Sequence, residues 1–292
     1  MEKKRWRFAC IALRGRLIVC LLLALSLLVA VVAAPDSTVA QTNGKAVPII
    51  MYHSILRSPS RAGTYVISPE VVECDLQYLA RRGYTTIFVS ELADAVITGK
   101  QLPERPVILT LDDGYLNNLT YMLPLLEKYD MKAVISIVGA YSEKFTALND
   151  PNPNYAHLTW DDITHLVDSG RIEIGNHSYD MHRQTPRKGT RRLTGESPSA
   201  YYEALVADVG KAQSLLEECC GIVPTTFTYP YGHISQESLP ILREMGFTAF
   251  LTCYERVNYV AGDPAVLLSL GRFNRASGVS TEKFMRKLRI CD

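Results

Sequence analysis

The feature that most constrains the fold is an alternation. From residue 47 onward, short apolar runs are separated by stretches whose apolar positions recur with helical spacing. The strand-like runs are 47–52, 85–89, 107–111, 133–138, 172–175, 225–229, 248–251 and 266–270. Between them, 69–82, 117–129, 159–169, 199–219 and 235–245 read as helices. The last has Glu237 in its first turn and Gly246 just past its end. Strands alternating with helices predict parallel strands joined by helical crossovers. Seven or eight such units predict an α/β chain, a distorted (β/α) barrel of about seven parallel strands, with an open doubly wound sheet as the alternative.

The N-terminus reads differently. The first 16 residues hold six of the 31 basic side chains against one of the 30 acidic ones, so the rest of the chain is mildly acidic. That balance argues against a nucleic-acid partner, whose binders carry a basic body. Residues 17–34, LIVCLLLALSLLVAVVAA, contain no charge. A basic stretch followed by such a run is a signal peptide or an N-terminal membrane anchor helix, and the positive end belongs in the cytoplasm. The expected organisation is a basic stretch, signal or anchor and linker over 1–44, and a domain outside the membrane over 45–292. Seven cysteines show no CxxC spacing, which disfavours a thiolate zinc site. An exterior location permits disulfides, though no pair can be assigned.

In both architectures chemistry gathers where strands end. Four predicted strand ends carry unusual polar groups: Tyr52-His53, Asp112-Asp113-Gly114, Asn176-His177 followed by His182, and Pro230-Tyr231-Gly232-His233. Two adjacent carboxylates after an apolar run are hard to explain as packing, although Asp-Gly also favours turns. Because side chains alternate along an extended chain, Asp112 and Asp113 should point to different places, one toward a metal and one acting as a base. His177 and His182 are five residues apart, about 140° around a helix, so a loop should present them. Two histidines and one carboxylate would leave an open position on a catalytic metal. The Pro-Tyr-Gly turn could aim a backbone N–H at an oxyanion.

Together these pieces resemble the polysaccharide deacetylases of the NodB-homology type, carbohydrate esterase family 4. The segment 110–115, Thr-Leu-Asp-Asp-Gly-Tyr, is similar to that family's TFDDG motif. His177-Ser178 through His182 is similar to its HSxxH motif, and Tyr229-Pro230-Tyr231-Gly232 to its RxPYG motif. The resemblance spans roughly 47–275. It implies a distorted (β/α) barrel that removes N-acetyl groups from an amino-sugar polysaccharide. It also implies one divalent, zinc-like ion held by Asp113, His177 and His182, with Asp112 as general base and the Tyr231 N–H at the oxyanion.

The departures are specific. The two histidines are five residues apart where the family usually has four. That spacing, Met51-Tyr52-His53 and the Tyr-Pro-Tyr-Gly turn resemble a subgroup that includes deacetylases of poly-N-acetylglucosamine. Thr228 stands where the family keeps a base-orienting arginine. The late Leu-x-His that supplies the general acid is absent, and 270–273 reads Leu-Gly-Arg-Phe. We therefore expect Arg272 to hold Asp112 ionised, and His53, ahead of His233, to supply the acid. Asp180 is a candidate to orient a histidine. Residues 183–192 carry five cations, the rim of a site for anionic glycan or lipid headgroups if not a solvated loop. Tyr115, Tyr179 and Trp160 are candidates to stack on sugar rings, Trp160 equally a helix-start packing residue. The rival readings are a glycan-binding relative without turnover and a metal phosphoesterase, for which a second ligand cluster is missing.

Overall fold

Pro48 interrupts the first apolar run and divides it between two sheets. Strand β1 (Lys45–Val47) pairs antiparallel with β11 (Asn258–Val260), while β2 (Ile49–Tyr52) enters the main sheet. The computed structural model describes residues 44–290. The signal or anchor segment, Cys10, Cys20 and Cys291 lie outside the described residues. Among the described residues no helix is long and apolar enough to cross a membrane, and Cys74, Cys219, Cys220 and Cys253 are free thiols.

The main sheet is parallel throughout. Its order is β10 (Ala249–Leu251), β9 (Thr226–Thr228), β8 (Ile172–Asn176), β7 (Ala133–Ile137), β6 (Pro106–Asp113), β2 and β12 (Phe273–Asn274), with the short β5 (Thr85–Thr86) beside the start of β6. A minor parallel pair joins β3 (Ser54–Ile55) to β4 (Val66–Ile67). Leu270, just before β12, bridges in parallel to Leu251 of β10, so the curled sheet is drawn together between its two edges. This is the distorted barrel expected, with seven strands in one path.

Alternation along the strands builds two apolar layers. Ile49, Ile108, Val134, Ala249 and Leu270 pack together in one cluster. Their neighbours Ile50, Leu109, Leu111 and Ile135 join a different cluster, formed with the crossover helices. Those helices are α1 (Pro69–Arg81), α2 (Val89–Thr98), α3 (Leu123–Tyr129), α4 (Gly139–Leu148), α5 (Trp160–Asp168), α6 (Pro198–Cys220), α7 (Ser238–Glu244) and α8 (Thr281–Lys287). Several start where the sequence supplies a cap: Ser68 accepts from Val71 N–H, Ser197 from Ala200 N–H, and Thr159 and Asp162 form a reciprocal capping box.

Four expectations need correction. Residues 266–270 are not a strand. Asp263 caps the Ala265 N–H and Pro264 opens a 3-10 helix over Pro264–Ser269, and the closing strand is Phe273–Asn274. The run 85–89 is strand only to Thr86, because Val89 begins α2, where the Glu91 side chain accepts from the Phe88 N–H. The helix expected over 117–129 begins as a π-helical turn, Asn118–Met122. Helices α2, α4 and α8, seven to ten residues long, were not expected from the pattern.

Candidate active site

Position 112 is where the inward row of β6 turns polar. Ile108 faces the inner cluster, and Thr110, fully buried, donates to Ile50 O at 2.9 Å. Asp112 continues that row with 2% of its surface exposed. Fully buried Arg272 meets it with both arms of its guanidinium, Nη1 to Oδ1 at 2.7 Å and Nη2 to Oδ2 at 2.8 Å. The Arg272 Nε donates to Thr252 O at 2.9 Å, which fixes the fork in place. Burial alone would raise the Asp112 pKa, but the charge and hydrogen bonds of Arg272 outweigh it and hold the carboxyl well below the ordinary range. Arg272 therefore stands where expected relative to Asp112, although it precedes the closing strand rather than ending it.

Strict alternation would aim Asp113 outward. Its φ of 72° turns it back, so both carboxylates line one cavity. This corrects the expectation that they diverge. Asp113 Oδ1 lies 3.2 Å from His182 Nε2 and 3.6 Å from His177 Nε2. His177 ends the β8 segment, and its Nδ1 lies 2.7 Å from Thr228 O. Donation to that carbonyl leaves Nε2 as the acceptor that faces Asp113. His182 arrives by a loop, as the five-residue spacing required. Burial, with His182 adding to it, pushes His177 down to about 3, and burial lowers His182 as well. Burial pushes Asp113 up to about 6, with His53 opposing and Asp112 reinforcing the effect.

The donor set fits a cation. One ligating atom from each of Asp113, His177 and His182 falls within 4.8 Å of the others, and the buried Asp113 Oδ1 has no hydrogen-bond partner among the described residues. Two imidazoles and one carboxylate suit several divalent ions and leave coordination positions open.

His53 leaves β2 toward the same cavity. Asn118 Nδ2 holds its carbonyl at 2.9 Å, and the Tyr65 ring packs on it at 4.7 Å. Its Nε2 lies 3.9 Å from Asp112 Oδ2, and its buried Nδ1 has no hydrogen-bond partner among the described residues. Tyr231 adopts φ 58°. The turn closes through Gly232 N–H to Tyr229 O (2.8 Å) and His233 N–H to Pro230 O (3.2 Å), which leaves the Tyr231 N–H outside its hydrogen bonds. The Tyr231 ring stacks on His182 at 4.5 Å. A side chain at Gly232 would place its Cβ 2.5 Å from Cys253 Cβ, so only glycine lets the turn approach.

Asp180 does not orient a histidine. Its carboxylate is taken by Arg183. The loop between the two histidines is held instead by Asp208 of α6, which accepts from the Tyr179 and Asp180 N–H groups at 2.9 Å each. Thr228, in place of an arginine, bonds to Ser136 Oγ at 2.7 Å and offers its carbonyl to His177. Tyr115 lines the cavity; Trp160 is buried at the start of α5, and the Tyr179 hydroxyl is bonded to Glu143. The cavity, about 510 Å³, also takes in Cys253, Asn274 and Tyr65, which sequence reasoning missed. Cys253 follows the end of β10 by two residues, so the strand-end rule would have found it.

Residues 99–250 match the family model described as polysaccharide deacetylase. The chain is 25% identical over 194 residues to the poly-beta-1,6-N-acetyl-D-glucosamine N-deacetylase of Escherichia coli K12, covering 60% of this chain and 29% of that one. It is 26% identical over 206 residues to the putative polysaccharide deacetylase YxkH of Bacillus subtilis, covering 70% of this chain and 63% of that one. This chain thus matches less than a third of the first relative and under two thirds of the second. In fold it is similar to IcaB from Ammonifex degensii (TM-score 0.68, 24% identity, 85% of this chain and 97% of that one). It is also similar to a de-N-acetylase from Aggregatibacter actinomycetemcomitans (TM-score 0.70, 21% identity, 83% and 100%). With a family match over more than half its length, a barrel of the same fold and a cation-ready triad beside a buried Asp–Arg pair, the chain belongs to the polysaccharide deacetylase family.

Proposed function

We propose that this protein is a metal-dependent hydrolase that removes N-acetyl groups from an amino-sugar polysaccharide outside the membrane. The observation that carries the reading is the joining, in one cavity, of a fork-paired Asp112 with Asp113, His177 and His182. Those three residues would hold one divalent ion, zinc by preference. When bound, such an ion supplies a Lewis acid for the acetyl carbonyl and makes water acidic enough to ionise near neutral pH.

The chain's own groups account for the protons. Asp112, kept ionised by Arg272, is the base that takes a proton from the attacking water. The Tyr231 N–H, unused by its turn, is placed to donate to the oxyanion. His53, beside Asp112, delivers a proton to the departing amine. The products are acetate and a free amine on the sugar. The reading of a relative that binds glycan without turnover rested on the absent arginine and the absent late histidine. Arg272, bonded to Asp112, and His53, 3.9 Å from it, support turnover over that reading.

The apolar run at 17–34 supports export or anchoring, and the mildly acidic chain gives no reason to invoke nucleic acid. The relatives' names make β-1,6-linked N-acetylglucosamine polymers the first substrate to try, beside peptidoglycan and chitin-like oligomers. The test is acetate release from these three with and without chelator, together with bound-metal content. Asp112→Asn should keep its metal and lose turnover. Near-normal acetate release by that variant would remove Asp112 as the base, and release that is indifferent to chelator would remove the metal.

A further inference from the structure

The loop from His182 to α6 carries five cations, and the structure divides them into two sets. Arg183 is bonded to Asp180. Arg187 grips Glu196 through two contacts, at 2.5 and 2.9 Å. Arg192 pairs with Glu237 at 2.9 Å. Lys188 and Arg191, both exposed, have no acidic partner among the described residues.

These two sit on a turn held against Pro230, the residue before cavity-lining Tyr231. Gly189, at φ 54°, lies so close to the Pro230 carbonyl that a Cβ there would come within 2.9 Å of it. Its N–H donates to Arg183 O at 2.9 Å, and Arg187 holds the Arg191 carbonyl at 2.8 Å. Thr190 is fully buried, with its carbonyl accepting from the Tyr201 hydroxyl at 2.6 Å. His233, three residues beyond Pro230, lines the cavity. Burial, then the nearby charges of Arg191 and Lys188, lower the pKa of its ring. Elsewhere around the cavity the acidic groups are answered: Asp112 by Arg272, and Glu255 by Lys287 at 2.5 Å. Asp113 belongs to the ligand triad. In the loop beside His233, the charges left without an acidic partner among the described residues are thus the two cations.

We propose that Lys188 and Arg191 form an anion-recognition subsite at the rim of the cavity, taking a carboxylate or phosphate carried by the glycan near the sugar that loses its acetyl group. The inference rests on the proposed deacetylase reading and deepens it: among the candidate glycans it favours one that carries anionic groups over the neutral N-acetylglucosamine polymers. A glycan is favoured over a membrane because the charges flank a concave site and number two, against the roughly four to eight of lipid-binding basic clusters.

Binding to the full chain tests this with three probes: neutral N-acetylglucosamine oligomers, oligomers alternating with glucuronic acid, and phosphorylated N-acetylglucosamine oligomers. Each exposed charge contact contributes little, so the expected preference for the anionic probes is about five- to tenfold at low salt, shrinking as salt rises. The carboxylate and phosphate arms decide which anion is held. In K188A/R191A the ratio of anionic to neutral affinity should fall to near one, and in K188E/R191E below one. A ratio near one in the unaltered protein, or one that survives both substitutions, overturns the subsite. So does binding to phosphatidylglycerol vesicles that the substitutions abolish while no glycan preference exists. If the affinity ratio behaves as expected but no probe releases acetate, the subsite stands and the activity reading fails. If acetate is released and the ratio is one, the activity reading stands and the subsite falls.

Discussion

Replacing Arg272 with methionine isolates the group that is paired with Asp112. The substitution preserves bulk and removes the cation from a pair that is almost wholly out of water, with Arg272 fully buried and Asp112 3% exposed in its side chain. An uncompensated buried charge costs about 3–5 kcal/mol. The sign follows from linkage. With Arg272 present the folded pKa of Asp112 is depressed, so the pair stabilises the fold above the unfolded pKa and is lost only in strong acid. Without Arg272, burial raises Asp112, and its titration moves into the range where acetate release can be followed. Arg272→Met should therefore lose stability at neutral pH by about 3–5 kcal/mol in denaturant titration, and the acid limb of its kcat/KM profile should move to higher pH. R272M/D112N removes both charges and should recover most of that stability, since a buried pair replaced whole is nearly neutral. Arg272→Lys keeps charge but not the fork and should fall between. An R272M profile that superimposes on the unaltered protein's, with stability unchanged, would refute the assignment of Arg272 as the group that keeps the base ionised.

Other consequences are separable. A divalent ion at a hundred times its Kd should stabilise the fold by about 2.7 kcal/mol, so chelator should lower Tm by roughly 5–10 °C, and Asp113→Asn should lack that increment, as thermal melts with and without metal will show. Gly232→Ala forces a side chain against Cys253 at a positive φ, with an expected loss of about 2 kcal/mol or more, read in denaturant titration. His157 is packed among the rings of Tyr115, Tyr141 and Phe145 with both ring nitrogens unpartnered among the described residues, and burial pushes it down to about 4. Its folded pKa is depressed, so folding resists its protonation. Stability should fall as pH drops from about 6.5 to about 4, by at most about 3 kcal/mol, and His157→Phe should flatten that decline in pH-dependent melts.

Much of the fold was legible because strands buried in a parallel sheet must be apolar runs and crossovers must carry helical spacing. The motif residues were legible because strand ends are where such a barrel exposes polar groups. What failed failed locally. Residues 266–270 are as apolar as a strand, yet a capped proline turn wound them into a 3-10 helix. Asp180 lies within the histidine loop, yet Arg183 takes its carboxylate and Asp208, 28 residues further on, does the holding.

By itself, then, the sequence determined which residues could carry chemistry, since residue type and position at a strand end are local properties. Only the tertiary structure decided how they act together. A positive φ at Asp113 turns two neighbouring carboxylates into one cavity against strand alternation, and a contact spanning 160 residues brings Arg272 to Asp112. Of five similar cations in one loop, folding pairs three and leaves two beside the site. Charge compensation is set by which groups meet across the barrel, and no spacing along the chain records it.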